Sequence, residues 1–327
     1  MGCATKNAKV VAISLGSLQR LIGMKAVPPS AVPLIISTAA DAMSQGVDIQ
    51  LRILQTILSL ITNFSEIHGQ QLADALLVCF RLHESRIAVV SSTAAATLRQ
   101  LVMFVVDKMA GESETEALAD VQLPDGSSKA LPPSARDAFA VFEDLCLLAN
   151  SEKPRFLQLD YLHKTFALEL IESVLTNYHA LFRQHPELTL LLRHHLCPLL
   201  IKALSDRPQF ALTLRCTRVV FLLLKQFHAE LQTEAEVFLV MLIKIITEDT
   251  ESEPAEHPPR PHWMRVIAME IMRGLCSDAE LVRGIYDRYD AQEAENSNVY
   301  ARRSLAVGEA VLLISRYATR RRSIHVM

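Results

Sequence analysis

Apolar residues recur at helical spacing along almost the whole chain, and this periodicity limits the fold more than any other feature. Four clear stripes cover residues 10–22, 51–61, 72–82 and 98–106. Apolar positions three or four residues apart form one face of an α-helix. Glycine supplies only 10 of 327 residues, and the one hairpin-type dipeptide, Asp125-Gly126, sits in a polar stretch. The sequence therefore predicts an all-α protein.

The order of these stripes favours a solenoid. We expect about a dozen helices joined by short connections, with successive pairs repeating every ~35–45 residues, the period of HEAT and armadillo arrays. A globular helical bundle is the rival all-α arrangement. The solenoid is preferred because each helix has a single wide apolar face. The order of the helices is also local throughout, so each helix is expected to pack on its neighbours in the sequence. The predicted fold is an armadillo/HEAT-like, right-handed α-solenoid.

A polar interruption divides the chain. Residues 111–133 are acidic at their start and then rich in proline, which is typical of a linker. We therefore predict helical blocks 1–110 and 134–319, followed by a basic tail at 320–327.

The second block is expected to begin with a capped helix. Ser134 is predicted to cap this helix, and Asp137 three residues later makes the pattern close to a capping box. A second acidic, proline-rich break covers residues 249–261.

No catalytic or cofactor motif occurs in the sequence. His194 and His195 are adjacent, so on a helix they point in different directions and do not share one metal ion. Nucleotide-binding glycine loops and nucleophile elbows are lacking. The net charge of -3 argues against a general electrostatic grip on nucleic acid. The prediction is a non-enzymatic protein without cofactor, metal or small-molecule substrate.

The ends of the chain carry two weaker signals. The N-terminal Met1-Gly2-Cys3 suggests myristoylation, but Lys6 stands where that motif needs serine or threonine. The only dense basic cluster is near the other end, where a solvated helix end and a contact with anionic lipid or acidic protein are both open. Its members are Arg316, Arg320, Arg321 and Arg322.

Longer strings in the first block resemble a known family. Ala75-Leu76-Leu77-Val78-Cys79-Phe80-Arg81-Leu82-His83 and Ser92-Thr93-Ala94-Ala95-Ala96-Thr97-Leu98-Arg99-Gln100 are similar to the N-terminal region of the Mon-two (Ysl-two) family. Those proteins are relatives of the large Golgi Arf guanine-nucleotide exchange factors. The first block then resembles their dimerisation and cyclophilin-binding (DCB) domain. Residues 1–6 resemble an internal stretch of the family, which implies that the first DCB helices are missing from this sequence.

The second block resembles the homology-upstream (HUS) domain of the same family. The strings are Asp137-Ala138-Phe139, Phe142–Cys146, Thr165–Leu175 and Cys197–Lys202, together with the surroundings of Trp263, the only tryptophan. The relatives carry a signature box, roughly Asn-Tyr-Asp-Cys. The matching place here keeps Tyr289 and Asp290 but has Arg288 and Ala291 instead. We therefore regard Trp263, Tyr289 and Asp290 as candidate interaction residues.

This resemblance implies a non-catalytic scaffold in Golgi-to-endosome protein transport, peripheral on trans-Golgi and endosomal membranes. Implied partners are a Dopey-type protein, a phospholipid flippase, an Arf-like GTPase and a second copy bound through the DCB region. The alternative is a cargo- or transport-receptor solenoid without a Golgi role. That class is expected to repeat acidic or asparagine-rich ridges at each helix pair, and the sequence has none.

Overall fold

The computed structural model describes residues 7–111, 118–247 and 260–289. Of these residues 77% are helical, so the all-α, solenoid-like prediction is confirmed. Handedness stays a prediction. The described helices, in chain order, are α1 (Ala8–Gly23), α2 (Val32–Asp41), α3 (Val47–Asn63), α4 (Gly69–His83), α5 (Ala88–Ala110), α6 (Pro133–Ala149), α7 (Lys164–Gln184), α8 (Pro186–Leu191), α9 (Cys197–Ser205), α10 (Phe210–Phe227), α11 (Gln232–Thr247), α12 (His262–Cys276) and α13 (Ala279–Tyr289).

The chain divides into two compact units, Met1–Leu191 and Leu192–Met327. In the first unit, helices two apart in the sequence pack side by side. One row contains α1, α3, α5 and α7, and the other contains α2, α4 and α6. Contacts between α3 and α4, α4 and α5, and α6 and α7 join the two rows. This arrangement is the stacking of helical hairpins that builds a solenoid.

Helix α5 contacts four other helices of this unit. By length and composition alone it could cross a membrane. In the structure it packs against α3, α4, α6 and α7, and Leu98, Leu101 and Val105 on it are buried. Each such side chain contributes about 1.5–3 kcal/mol when fully buried. These contacts are those of a core helix in a globular unit.

The first unit crosses the predicted linker. Helices α6 and α7, from the second predicted block, pack directly on α5 from the first. The boundary between the compact units therefore falls after residue 191 in the sequence, whereas the polar interruption lies at 111–133. The division into blocks 1–110 and 134–319 stays a prediction about domains, because packing follows a different boundary.

Part of the predicted linker is a β-hairpin. Strand β1 (Ala119–Gln122) pairs antiparallel with β2 (Ser128–Leu131), and Asp125-Gly126 lies in the connecting turn. Gly126 has φ +85°, which favours glycine, and the Asp125 carboxylate accepts the Ser127 N–H at 3.0 Å. The interpretation that discounts this dipeptide as a hairpin signal, because it lies in a polar linker, is wrong.

The hairpin is fixed to helix α8 through a buried carboxylate. Lys129 Nζ donates to Glu187 Oε2 at 2.6 Å, and His185 Nδ1 lies 3.1 Å from Glu187 Oε1. The Glu187 side chain is 1% exposed. Burial by itself raises the pKa of Glu187, but hydrogen bonds from Lys129, its own backbone N–H and His185 outweigh burial and lower that pKa.

The second unit opens with a π-helical turn at Leu192–Leu196. Arg193 ties this turn to the region of α11, donating to the Glu230 carbonyl at 2.7 Å and pairing with Glu234 at 3.1 Å. Helix α12 packs against α10, α11 and α13. A Cβ at Gly274 of α12 would lie 3.0 Å from Cε2 of Phe221, so glycine permits this close approach to α10.

Several predictions from the sequence fall outside the described residues. These are the start of the chain around Gly2, the end of the second predicted block from Asp290 to residue 319, and the basic residues Arg316, Arg320, Arg321 and Arg322. Helix α7 begins at Lys164, and Tyr161 lies in the preceding loop and is 60% exposed.

Replacing Lys129 tests the anchoring of the hairpin. Because the pKa of Glu187 is lowered in the folded state, the stabilisation is present above its ordinary pKa of 4.5 and is lost as pH falls through the lowered value. Lys129→Met is expected to reduce the free energy of unfolding by about 1–2 kcal/mol at neutral pH. Urea unfolding at about pH 7 and about pH 3.5 should show this difference shrinking in acid. Lys153→Met, at an exposed lysine, is the control, and an equal loss at both pH values would contradict the assignment.

Candidate interaction surface

Helix α4 is held at both ends by residues that follow the hairpin. At its start, Asp137 of α6 accepts the Gly69 N–H at 2.9 Å and lies 2.8 Å from His68 Nδ1. The carboxylate is therefore an N-cap supplied by a distant helix. At the other end, the His83 ring stacks on Phe166 of α7 at 4.0 Å.

The predicted capping box at the start of α6 is wrong. Helix α6 begins at Pro133 after Pro132, and no side chain caps it. Asp137 is 5% exposed, and its carboxylate accepts the Gly69 N–H at the start of α4. The N-terminus of α4, which is distant in the sequence, competes with the local cap for this carboxylate. A buried acid needs strong hydrogen-bond donors, and the first backbone N–H groups of α4 have no acceptor within their own helix.

A third contact joins α5 to α7. The Arg99 guanidinium pairs with the Glu169 carboxylate, close to the stacked His83 ring. Burial lowers the pKa of His83, Glu169 raises it and His163 lowers it, and the net direction is downward. The lowered pKa favours the neutral form of the His83 ring, which is suited to stacking on Phe166. These three contacts clamp α4 and α5 onto α6 and α7.

A buried carboxylate shapes the loop between α6 and α7. Asp144 is fully buried and accepts the backbone N–H groups of Arg155, Phe156 and Leu157 at 2.7, 2.8 and 2.5 Å. Burial raises the pKa of Asp144 more than these hydrogen bonds lower it. Among the described residues no nucleophile or base faces this carboxylate in a hydrogen bond, and its role is to fix the loop that exposes Tyr161.

The histidines and cysteines do not form a metal centre within residues 7–111, 118–247 and 260–289. His194 is exposed and His195 half-buried on the π-helical turn, so adjacent rings face different surroundings. Burial raises the pKa of the Cys79 thiol to about 12, so this thiol is protonated and unreactive at neutral pH.

Trp263 lies at an aromatic surface of the second unit. Its ring meets Phe210 edge to face, with centroids 5.2 Å apart. Phe210 is 57% exposed and Val266 is 40% exposed, while Trp263 is half-buried. Exposed aromatic and aliphatic side chains of this kind are enriched at protein interfaces. Of the other candidates, Tyr289 is the last described residue of α13.

Comparison with known proteins assigns both halves of the chain. Residues 1–113 match the Mon2/Sec7/BIG1-like dimerisation and cyclophilin-binding domain, and residues 134–298 match the Mon2/Sec7/BIG1-like HUS domain. The chain belongs to the Mon2/Sec7/BIG1-like family. The resemblance read from the sequence strings is therefore confirmed.

Relatives in this family are much longer than the chain. The MON2 homolog of Xenopus laevis is 35% identical over 319 residues, covering 90% of this chain and 18% of that protein. The human MON2 homolog is 34% identical over the same shares of each chain. A brefeldin A-inhibited guanine nucleotide-exchange protein 3 of Arabidopsis thaliana is 27% identical over 167 residues, 51% of this chain and 9% of its own length. The chain thus spans about a fifth of the MON2 homologs.

The three clamp contacts join the DCB part of the chain to the HUS part. Their partners lie in the DCB match on one side, with His68, His83 and Arg99, and in the HUS match on the other, with Asp137 and Glu169. Sequence reasoning missed this clamp. The available signal was an acid inside an apolar helix, as in Asp137-Ala138-Phe139, which indicates a buried partner but does not identify it.

Replacing Phe210 tests the aromatic surface. Phe210→Ala removes the ring that shields one edge of Trp263, so fluorescence emission of the only tryptophan should shift to longer wavelength. Because Phe210 is 57% exposed, the loss of unfolding free energy should stay at or below about 1 kcal/mol. Tyr161→Ala, a similarly exposed aromatic in the first unit, is the control and should leave the emission unchanged. No shift in Phe210→Ala would contradict the ring contact.

Proposed function

We propose that the chain is a non-catalytic part of a scaffold for protein transport between Golgi and endosomes. Membership of the Mon2/Sec7/BIG1-like family carries this proposal. The structure adds support of a general kind, because its buried charged groups are used in capping and clamping helices. Function by surface contact is the usual role of stacked helical units.

The partners follow from the family and from the domain description. The DCB description includes dimerisation and cyclophilin binding, so a second copy of the chain and a cyclophilin are proposed partners of the first unit. A Dopey-type protein, a phospholipid flippase and an Arf-like GTPase are further partners, each bound as a protein rather than as a substrate. The proposed location is peripheral, on trans-Golgi and endosomal membranes.

The signature-box residues Tyr289 and Asp290 are proposed to contribute to these contacts, together with Trp263. The basic residues Arg316, Arg320, Arg321 and Arg322 are proposed to lie against anionic lipid or acidic protein. Each positive charge near an anionic membrane contributes about 1 kcal/mol of attraction.

A purified Arf-like GTPase tests scaffold against enzyme. The immobilised chain should retain the GTP-loaded form at least about fivefold more than the GDP-loaded form, as expected when a partner reads the nucleotide state. The chain should leave the rate of nucleotide release from this GTPase, and from an Arf, unchanged. Accelerated release would contradict a non-catalytic role, and failure to capture either form would favour a transport receptor without this partner.

A further inference from the structure

A groove runs along the surface of the first unit between helices α2 and α4. Its volume is about 200 Å³, and both helices contribute side chains at helical spacing. The residues from α2 are Pro33, Ile36, Ser37 and Ala40, and those from α4 are Gln71, Asp74, Leu77, Val78 and Arg81.

The groove has an apolar floor. Ile36, Leu77 and Val78 are largely buried and form this floor. A surface channel with an apolar floor loses its contact with water when a partner covers it.

Two opposite charges line α4 along this channel. Asp74 and Arg81 are seven residues apart, which is two helical turns or about 10.5 Å along the axis. Asp74 accepts a hydrogen bond from Gln70 at 2.7 Å. Within the described part of the chain neither residue forms an ion pair, so both charges are available to a partner.

We propose that the α2–α4 groove binds one amphipathic α-helix of a partner protein. This helix presents an apolar stripe to the floor, a lysine or arginine to Asp74, and an aspartate or glutamate to Arg81 two turns further on. The proposal rests on the scaffold function proposed above and names a surface for it. Packing the ridge of one helix into the groove between two others is a general mode of recognition.

The shape of the surface selects a helix over other occupants. Two copies of the groove facing each other would both be concave and would leave a void, which forfeits packing energy. An extended peptide needs hydrogen-bond partners along its backbone, and the floor formed by Ile36, Leu77 and Val78 offers none. A helix presents a convex ridge that fills the concave groove, and its backbone groups are already paired within the helix.

The test uses fluorescein-labelled synthetic helical peptides of about 21 residues and the full chain, with binding measured by anisotropy. The first peptide carries two leucines on the turn between a lysine and a glutamate that are two turns apart. Two further peptides replace this charge pair with two lysines or two glutamates. A fourth keeps the lysine and glutamate but replaces both leucines with serine.

The unmodified chain should bind the lysine–glutamate peptide best, and the serine peptide at least about tenfold more weakly. Asp74→Lys should shift the preference to the two-glutamate peptide, and Arg81→Glu to the two-lysine peptide. Each shift should be about two- to fivefold, as expected for exposed ion pairs. The expected change of peptide preference in each variant is the same whichever way round the peptide lies in the groove.

Blocking the groove provides the matched control. Ser37→Trp fills the channel and should weaken binding of every leucine-bearing peptide, whereas Ser17→Trp, at an exposed position of α1, should not. Circular dichroism checks that each variant is folded. Absence of saturable binding, or charge variants that leave the preference unchanged, would overturn the proposal. Capture of the Arf-like GTPase would then still be informative about the scaffold function, since that assay does not depend on this groove.

Discussion

Helix α5 is buried by helices from both sides of the polar interruption, and the first unit depends on that burial. Helices α3 and α4 cover it from the DCB match, while α6 and α7 cover it from the HUS match. The apolar contacts supply most of the stabilisation, because each buried leucine or valine contributes about 1.5–3 kcal/mol. The polar contacts give these helices a defined position. Asp137 caps α4, His83 stacks on Phe166, and Arg99 pairs with Glu169. DCB and HUS sequences therefore share one core up to residue 191.

Periodicity was sufficient to predict the helices but not their long-range partners. The apolar stripe at residues 98–106 predicts a helix with a buried face, and the structure has α5 there. The same pattern cannot say that α7 lies against it, since spacing reports only that a face is covered. Asp137 shows the limit most clearly: its position after Ser134 suggests a local cap, yet the free amides of α4 are the stronger donors in a buried site. Asp125-Gly126 carried a hairpin signal that its polar surroundings concealed, and Trp263 was found because it is unique.

Several acidic side chains among the described residues are buried and form hydrogen bonds inside the protein. Asp144, Glu187 and Asp137 are buried acids whose oxygen atoms accept hydrogen bonds from backbone groups, Lys129 or His68. Among the described residues, the surfaces proposed for partners are the Phe210–Trp263 pair in the second unit and the α2–α4 groove in the first. The proposed scaffold function needs surfaces that rigid helices hold in place, and both of these surfaces lie on packed helices.

Native-state hydrogen exchange in low concentrations of urea tests the shared core most directly. If α5 is buried jointly, the slowest amides of α4 and α5 and those of α6 and α7 should open together, with one free energy and one dependence on urea. Exchange in which α4 and α5 stay protected after α6 and α7 have opened, with a separate urea dependence, would show two independent domains and would contradict this account.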